Sequence, residues 1–236
     1  MKWSLYDDLI RRATQDPAVL LAARKDWEAR TGTVGPDHDL YHERSDAFVE
    51  WFLIERRDAS GQTPVESELM RLAPVAAPDP AGPDRAWREL LWALRSSLRS
   101  LFRVVRLRPG GLLVDDLLGG ARFAVEERRS LPGVLPGDLF EARLLPDPDA
   151  PGRLVLGRAV LFHPREAAAV LTQRAAVARA GLGTAAGHDE NPRSAFLEQL
   201  LRLRLKALTY RHVSPARIYA LSDESARRPA SVSASP

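Results

Sequence analysis

The sequence contains no cysteine among its 236 residues. This absence excludes disulfide bonds, cysteine nucleophiles, iron–sulfur clusters and zinc sites built on thiolates. Two catalytic patterns are also missing, because no serine lies in a G-x-S-x-G setting and no G-x-x-x-x-G-K-[ST] phosphate loop occurs. The sequence therefore points to no familiar catalytic motif, and it indicates no cofactor.

Long apolar runs are missing too. No stretch approaches the roughly 18 consecutive apolar residues that a membrane span needs. The N-terminal segment carries Asp7 and Asp8 and no long apolar run, which is not the pattern of a signal peptide. We therefore expect a cytoplasmic protein without a membrane partner.

The sequence has only a small excess of positive charge. It contains 34 lysines and arginines and 31 acidic residues, which give a net charge of +3. A strong nucleic-acid-binding protein usually carries a larger or more clustered positive excess. Apolar residues make up 45% of the chain and charged residues 28%, which is typical of a globular protein. The length allows one or two domains.

The first hundred residues carry helical patterns. Apolar residues recur with helical spacing or follow helix-start signals in four segments, which are 3–14, 17–30, 39–57 and 85–99. Asp16 before Pro17 is a helix start, and Thr63 with Glu66 forms a capping box. Three tryptophans are predicted to lie in the core: Trp51, Trp87 and Trp92.

Beyond residue 100 the pattern changes to short apolar runs separated by Pro-Gly and Gly-Gly pairs. Turns are predicted at 109–111 and 119–120, and a tight turn over 135–138 precedes the fourth strand. Short strands at this spacing favour a small antiparallel sheet or barrel. Helical patterns return at Pro164 and continue to a last short helix that starts at Ser214.

These patterns predict an α+β protein with a helical N-terminal part, a small antiparallel β-sheet or barrel, and a helical C-terminal part. Four regions are expected: a helical region over 1–99, a β module over 100–163, C-terminal helices over 164–222 and a disordered tail over 223–236. The proline-rich stretch 73–84 is predicted to be a loop or linker, and 181–193 a polar loop.

The middle of the chain resembles a group of uncharacterised bacterial proteins. In that group a helical segment with an aromatic "EWFL" run, here Glu50–Leu53, precedes a small β module. The turn and strand motifs of the module match PGGLLVDDLLGG at 109–120 and LPGDLFEARL at 135–144. Many relatives of this type carry a cysteine-rich SEC-C zinc motif, which is absent here. The resemblance spans about 45–162 and implies a fold without implying an activity.

One group of polar residues has the composition of a metal site. His38 and His42 are four residues apart, and Asp46 follows at the same spacing, so that all three could share one helix face. Such a set suits zinc, iron or manganese bound through nitrogen and oxygen. The alternative is a polar helix start, where acids cap the first turn and favour the helix dipole.

Two basic runs are candidates for nucleic-acid binding. One lies at the helix-to-strand junction and includes Arg99 and Arg103, and the other lies in the C-terminal helix. The candidates in that helix and just after it are Arg202, Arg204, Lys206 and Arg211. Such a face can follow a phosphate backbone. The alternative is a solvated helix face on which arginine stems cover leucines.

The sequence thus favours a non-catalytic cytoplasmic interaction or regulatory protein that binds a protein partner through its β module and C-terminal helices. A nucleic-acid-associated protein that uses the arginine runs is the first alternative. A metal-dependent hydrolase that uses His38 and His42 is the second.

Overall fold

The computed structural model describes residues 3–72, 83–182 and 191–221. In this part of the chain, five helices precede the strands: α1 (Trp3–Ala13), α2 (Pro17–Thr31), α3 (Tyr41–Ile54), α4 (Pro64–Arg71) and α5 (Pro83–Arg95). The Asp16 carboxylate caps α2 by accepting from the backbone N–H groups of Ala18 and Val19. Thr63 and Glu66 form the expected capping box at the start of α4. Both predicted helix starts are therefore confirmed.

Five consecutive strands follow α5 in the described range 83–182, with no helix between them. They are β1 (Leu98–Arg108), β2 (Gly111–Asp116), β3 (Arg122–Glu126), β4 (Leu139–Pro146) and β5 (Leu154–Phe162). Residues 98 and 99 belong to β1, so the helix predicted over 85–99 ends earlier, at Arg95. The remaining described elements are a single 3-10 turn (Arg165–Ala167) and three helices: α6 (Ala168–Leu182), α7 (Pro192–Thr209) and α8 (Pro215–Tyr219).

The strands form a closed barrel in the order β1-β2-β3-β5-β4. The α+β class and the small barrel are confirmed. Four of the neighbouring pairs are antiparallel, but β3 and β5 pair in parallel. This parallel pair corrects the expectation of a purely antiparallel sheet. The reason is geometric, because strand direction cannot alternate all the way around a closed ring with an odd number of strands.

Three groups of buried apolar residues form the core. The barrel interior is filled by alternate residues of the strands, among them Phe102, Val104, Val114, Phe140 and Leu156. The outer face of β4 and β5 packs against α1–α5 and contributes Leu145, Ala159 and Leu161. Strands β1 and β4 also pack against α6–α8 through Leu101 and Leu139. Helices therefore cover the barrel from both sides.

The tryptophans do not all lie in this core. Trp51 and Trp87 are buried as predicted, whereas 52% of Trp92 is exposed, so its prediction as a core residue is wrong. The Arg95 guanidinium lies over the Trp92 ring as a cation–π partner, at 5.1 Å from the ring centroid. The predicted linker 73–84, polar loop 181–193 and tail 223–236 lie largely or wholly outside the described residues.

Arg44 joins the end of α2 to α3 and α7. Its guanidinium is buried and donates hydrogen bonds to the carbonyl oxygens of Thr31 at 3.0 Å, Gly32 at 2.6 Å and Leu201 at 3.4 Å. Burial lowers the pKa of Arg44 to about 10, which still leaves the side chain charged at neutral pH. One arginine therefore supplies donors to carbonyl groups that the end of α2 leaves without helical partners.

We expect Arg44→Met to lower the free energy of unfolding by about 2–4 kcal/mol, because buried carbonyl groups would lose charged donors. Denaturant titration followed by circular dichroism measures this change. Arg11→Met is the control, since Arg11 pairs with Asp8 on the surface, and such exposed pairs are worth about 0–1 kcal/mol. Equal midpoints for the two variants would contradict the assigned role of Arg44.

Candidate functional site

A network of buried charged side chains lies where α3 meets β1 and β4. Arg143 on β4 makes a short ion pair with Glu55 at the end of α3. Arg99 on β1 donates to the other oxygen of that carboxylate at 3.3 Å, and the Ser194 hydroxyl of α7 donates to it at 3.0 Å. Glu55 is therefore held from two strands and from α7.

Glu50 lies one helical turn before this position on α3 and is also buried. Its Oε1 accepts from the backbone N–H of Ala159 at 3.1 Å, and its Oε2 lies 3.7 Å from Nε of Arg143. A Cβ at Gly157 would overlap this carboxylate, so the glycine leaves the room that Glu50 occupies. Burial raises the pKa of Glu50, although Arg143 acts in the opposite direction.

Glu141 extends the network towards α8. This carboxylate is only 2% exposed, and it lies 3.8 Å from Arg99 and 3.3 Å from Nε2 of His163. The other ring nitrogen of His163 shares a hydrogen bond of 2.8 Å with the Tyr219 hydroxyl. Burial raises the pKa of Tyr219, so the phenol stays neutral at physiological pH. The chain of contacts links the barrel to the last described helix.

A cleft of about 1220 Å³ opens beside this network, between α2, the end of α3 and α7. We call it the helical cleft, and its lining includes Arg30, Ile54, Arg57, Phe196 and Glu198. The cations are exposed, since 60% of the Arg57 side chain and 43% of the Arg30 side chain contact solvent. The Glu198 side chain is only 8% exposed. Asp26 also lines the cleft, and its side chain is 57% exposed and pairs with Arg56 at 3.5 Å. The exposed charges at the opening are therefore Arg30, Arg57 and Asp26, and Glu198 lies beneath them.

The two carboxylates beneath the opening are in different electrostatic states. Burial raises the pKa of Glu198, and its ion pair with Arg30 at 3.4 Å only partly opposes this. Burial would also raise the pKa of Glu55, but the charges of Arg99 and Arg143 outweigh it and hold the pKa below the ordinary value. The ionised form of Glu55 is therefore favoured by its surroundings, whereas burial disfavours the ionised form of Glu198.

The predicted nucleic-acid-binding residues lie in several places. Arg99 belongs to the buried network, and Arg103 on β1 pairs with Asp115 at 3.1 Å. Arg202 makes short hydrogen bonds to the backbone carbonyls of Ala29 and Arg30 at the end of α2. These three arginines thus have structural partners within the fold.

The other three candidates differ in exposure. Arg204 and Lys206 are partly buried on α7, and burial together with the charge of Arg202 lowers the pKa of Lys206. Arg211 is exposed after the end of α7, at 3.9 Å from Asp39. The six candidates are therefore spread over the buried network, the barrel and α7 and do not form one continuous stripe.

The residues predicted to bind metal also have defined positions. Helix α3 begins at Tyr41, so His38 lies in the preceding turn and not on the helix face of His42 and Asp46. Nδ1 of His38 accepts from the backbone N–H of Leu40 at 3.2 Å. In the described part of the chain, no group of three or more His, Cys, Asp or Glu side chains is placed to hold a metal ion.

Neither a motif nor the spacing of residues in the sequence identifies the members of the buried network as a group. The alternation of β4 places Glu141 and Arg143 on its outer face, which in an isolated barrel would contact water. Only the helices that cover this face bury them. No local signal in the sequence marks these residues, because their burial depends on segments that are distant along the chain.

No protein-family model, curated protein or solved structure matches this chain. The resemblance to the uncharacterised bacterial proteins stays a prediction. No helix in the described ranges is both long and apolar enough to cross a membrane.

We expect Glu55→Gln to reduce the dependence of stability on acid. Because the pKa of Glu55 is lower in the folded state, the charged form contributes stability above the unfolded pKa of about 4.3. That contribution is lost as the pH falls through the folded pKa. The variant should be less stable than wild type at neutral pH and should lose less stability between about pH 6 and pH 3.

Denaturant titrations at several pH values measure this difference. Glu89→Gln is the matched control, because Glu89 pairs with Arg85 on the surface of α5. Its stability should follow that of wild type across the pH range. A Glu55→Gln variant that lost stability as steeply as wild type on acidification would contradict the assignment.

We expect Arg202→Ala to lower the free energy of unfolding by about 1–2 kcal/mol, because two carbonyls at the end of α2 would lose a charged donor. Thermal unfolding measures the change. Arg211→Ala should leave the midpoint close to that of wild type, since Arg211 is exposed. If the two variants unfold at the same temperature, the structural role of Arg202 is refuted.

Proposed function

We propose that this protein is a non-catalytic, cytoplasmic interaction protein of a regulatory kind. Its binding surface is the helical cleft, and its partner is an acidic segment of another protein. The observation that carries the proposal is the distribution of charge. Arg30 and Arg57 are exposed at the opening, whereas Glu55 and Glu198 are paired beneath them. The exposed acid of the lining, Asp26, pairs with Arg56.

The carboxylates of the cleft are engaged by the fold itself. Glu55 pairs with Arg99 and Arg143, which reach it from the barrel, and Glu198 pairs with Arg30. These pairs support a role in positioning α3 and α7. Because Arg99 and Arg143 balance the negative charge of Glu55, that charge does little to offset the arginines that line the cleft.

Arg57, at the opening of the helical cleft, can engage an incoming partner because its side chain is 60% exposed. Arg57 donates to Glu66 at 3.1 Å and to the carbonyl of Gly61 at the surface. Exposed pairs of this kind are weak, so Arg57 can exchange Glu66 for a carboxylate of a partner. Ile54 and Phe196 are partly buried in the same lining and supply apolar contact area. An acidic segment with interspersed apolar residues matches both properties.

The test is a fluorescence-anisotropy titration of the full chain with a short labelled peptide rich in aspartate, glutamate and leucine. We expect saturable binding that Arg57→Glu weakens by about tenfold, equivalent to roughly 1.4 kcal/mol. Arg71→Glu is the matched control. Arg71, like Arg57, is an exposed arginine paired with a glutamate of α4, but it lies outside the cleft. This control should change the affinity less than about twofold.

Two results would overturn the proposal. The first is binding that Arg57→Glu and Arg71→Glu weaken equally, and the second is equal binding of a peptide in which lysine replaces every acid. A labelled DNA duplex is titrated in parallel at two salt concentrations. Tight duplex binding with a steep salt dependence, in the absence of peptide binding, would favour the nucleic-acid function instead.

A further inference from the structure

A second cleft, of about 740 Å³, lies between the β2–β3 turn and α6. We call it the turn cleft. Its charged lining comprises Arg103, Asp115, Asp116, Arg122 and Arg179. Most of these charges are arginines, and they come from β1, β3 and α6. The helical cleft is built from α2, α3 and α7, so the two clefts are separate sites.

Two of these arginines share one carboxylate. Arg122 donates to Asp115 through Nε at 2.6 Å and Nη2 at 3.3 Å, and Arg103 donates to the same carboxylate at 3.1 Å. The hydrogen bonds from Arg122 make the largest contribution to lowering the pKa of Asp115. One carboxylate balances only one of the two guanidinium groups. The pair therefore presents one uncompensated positive charge to the cleft.

Asp116 does not supply the missing negative charge to that pair. Its carboxylate is buried, accepts a short hydrogen bond from the Ser100 hydroxyl and accepts from the backbone N–H of Leu118 at 2.9 Å. Arg193 of α7 lies 3.5 Å from the same carboxylate. The charge of Asp116 is thus opposed by a fourth arginine.

Arg179 faces the cleft from the last turn of α6. Its guanidinium lies directly over Gly120, where a Cβ would overlap it. Gly120 has a φ of +79°, so both its backbone conformation and this close approach favour glycine. Within the described ranges, Arg179 makes no hydrogen bond or ion pair, and the residue is exposed.

We propose that the turn cleft binds a phosphate-bearing small molecule, whose phosphate is held by Arg103, Arg122 and Arg179. Guanidinium groups bind phosphate oxygens through charged, often bidentate hydrogen bonds. Three such groups from separate elements converge on one cleft with only one opposing carboxylate exposed to it. The volume exceeds that of a phosphate ion and lies in the range of small-molecule sites. The cleft therefore has room for a phosphate-bearing molecule larger than free phosphate.

The test uses isothermal titration calorimetry on the full chain with ribose 5-phosphate, ribose and inorganic pyrophosphate as probes. We expect ribose 5-phosphate and pyrophosphate to bind and ribose not to bind. Arg179→Ala should weaken the binding of both anions by about tenfold or more. Arg128→Ala is the control, because Arg128 is an exposed arginine outside the cleft. The affinity of this variant for the two anions should stay within about twofold of the wild-type affinity.

Thermal unfolding of each variant shows whether the fold is retained. Arg179 makes no ion pair within the described ranges, so the Arg179→Ala variant should unfold at a temperature close to that of wild type. Arg122→Gln is a second variant, which keeps a hydrogen-bond donor near Asp115 but removes a positive charge. It should also weaken the binding of ribose 5-phosphate and of pyrophosphate. The proposal is overturned if ribose and ribose 5-phosphate bind equally, if neither anion binds at millimolar concentration, or if Arg179→Ala binds like Arg128→Ala. None of these results bears on the acidic peptide at the helical cleft.

Discussion

The ion pairs that Arg99 and Arg143 make with the carboxylates of α3 and β4 determine how the helices dock on the barrel. Removing charged groups from water is costly, and the cost is offset only where each group meets partners at good geometry. Glu55 meets both arginines. Glu141 is less well matched, because neither of its carboxylate oxygens accepts a hydrogen bond within the described residues, and they lie 3.8 Å from Arg99 and 3.3 Å from His163. A shift of α3 by one turn along the barrel would leave several of these charges buried without partners. The network therefore selects one arrangement of α3 on β1 and β4, as apolar packing alone would not.

Closure of the barrel imposes a second constraint, because it fixes which face of each strand points outward. The interior of β4 takes Phe140 and Ala142, so that Glu141 and Arg143 must face the surrounding helices. In the same way Gly157 on β5 must face α3, and its missing side chain gives Glu50 space to reach the backbone of Ala159. Barrel closure and the charge network are thus coupled, since the strand register presents the groups that α3 must meet.

Local chemistry explains which parts of this arrangement could be predicted from sequence. The Asp16-Pro17 helix start, the Thr63 capping box and the glycine-containing turns depend on neighbouring residues, and the structure confirms them. The parallel pairing of β3 with β5 depends on the number of strands that close the ring. The exposure of Trp92 and the burial of Glu141 depend on which helix covers which face. The spacing of residues along the chain predicts features that depend on neighbouring residues. It says little about features that depend on which elements pack together.

The same distinction applies to the arginines, which the sequence presents as two basic runs. Half of the six candidate cations already serve the fold: Arg99 binds Glu55, Arg103 binds Asp115 and Arg202 binds the end of α2. The near balance of 34 cations and 31 acids is consistent with this internal use of charge. What remains for a ligand is a small number of arginines that are exposed or shared, such as Arg57 at the helical cleft and Arg179 at the turn cleft. The charge available for binding is therefore set by how arginines and acids pair in three dimensions, and a count of basic residues along the sequence overstates it.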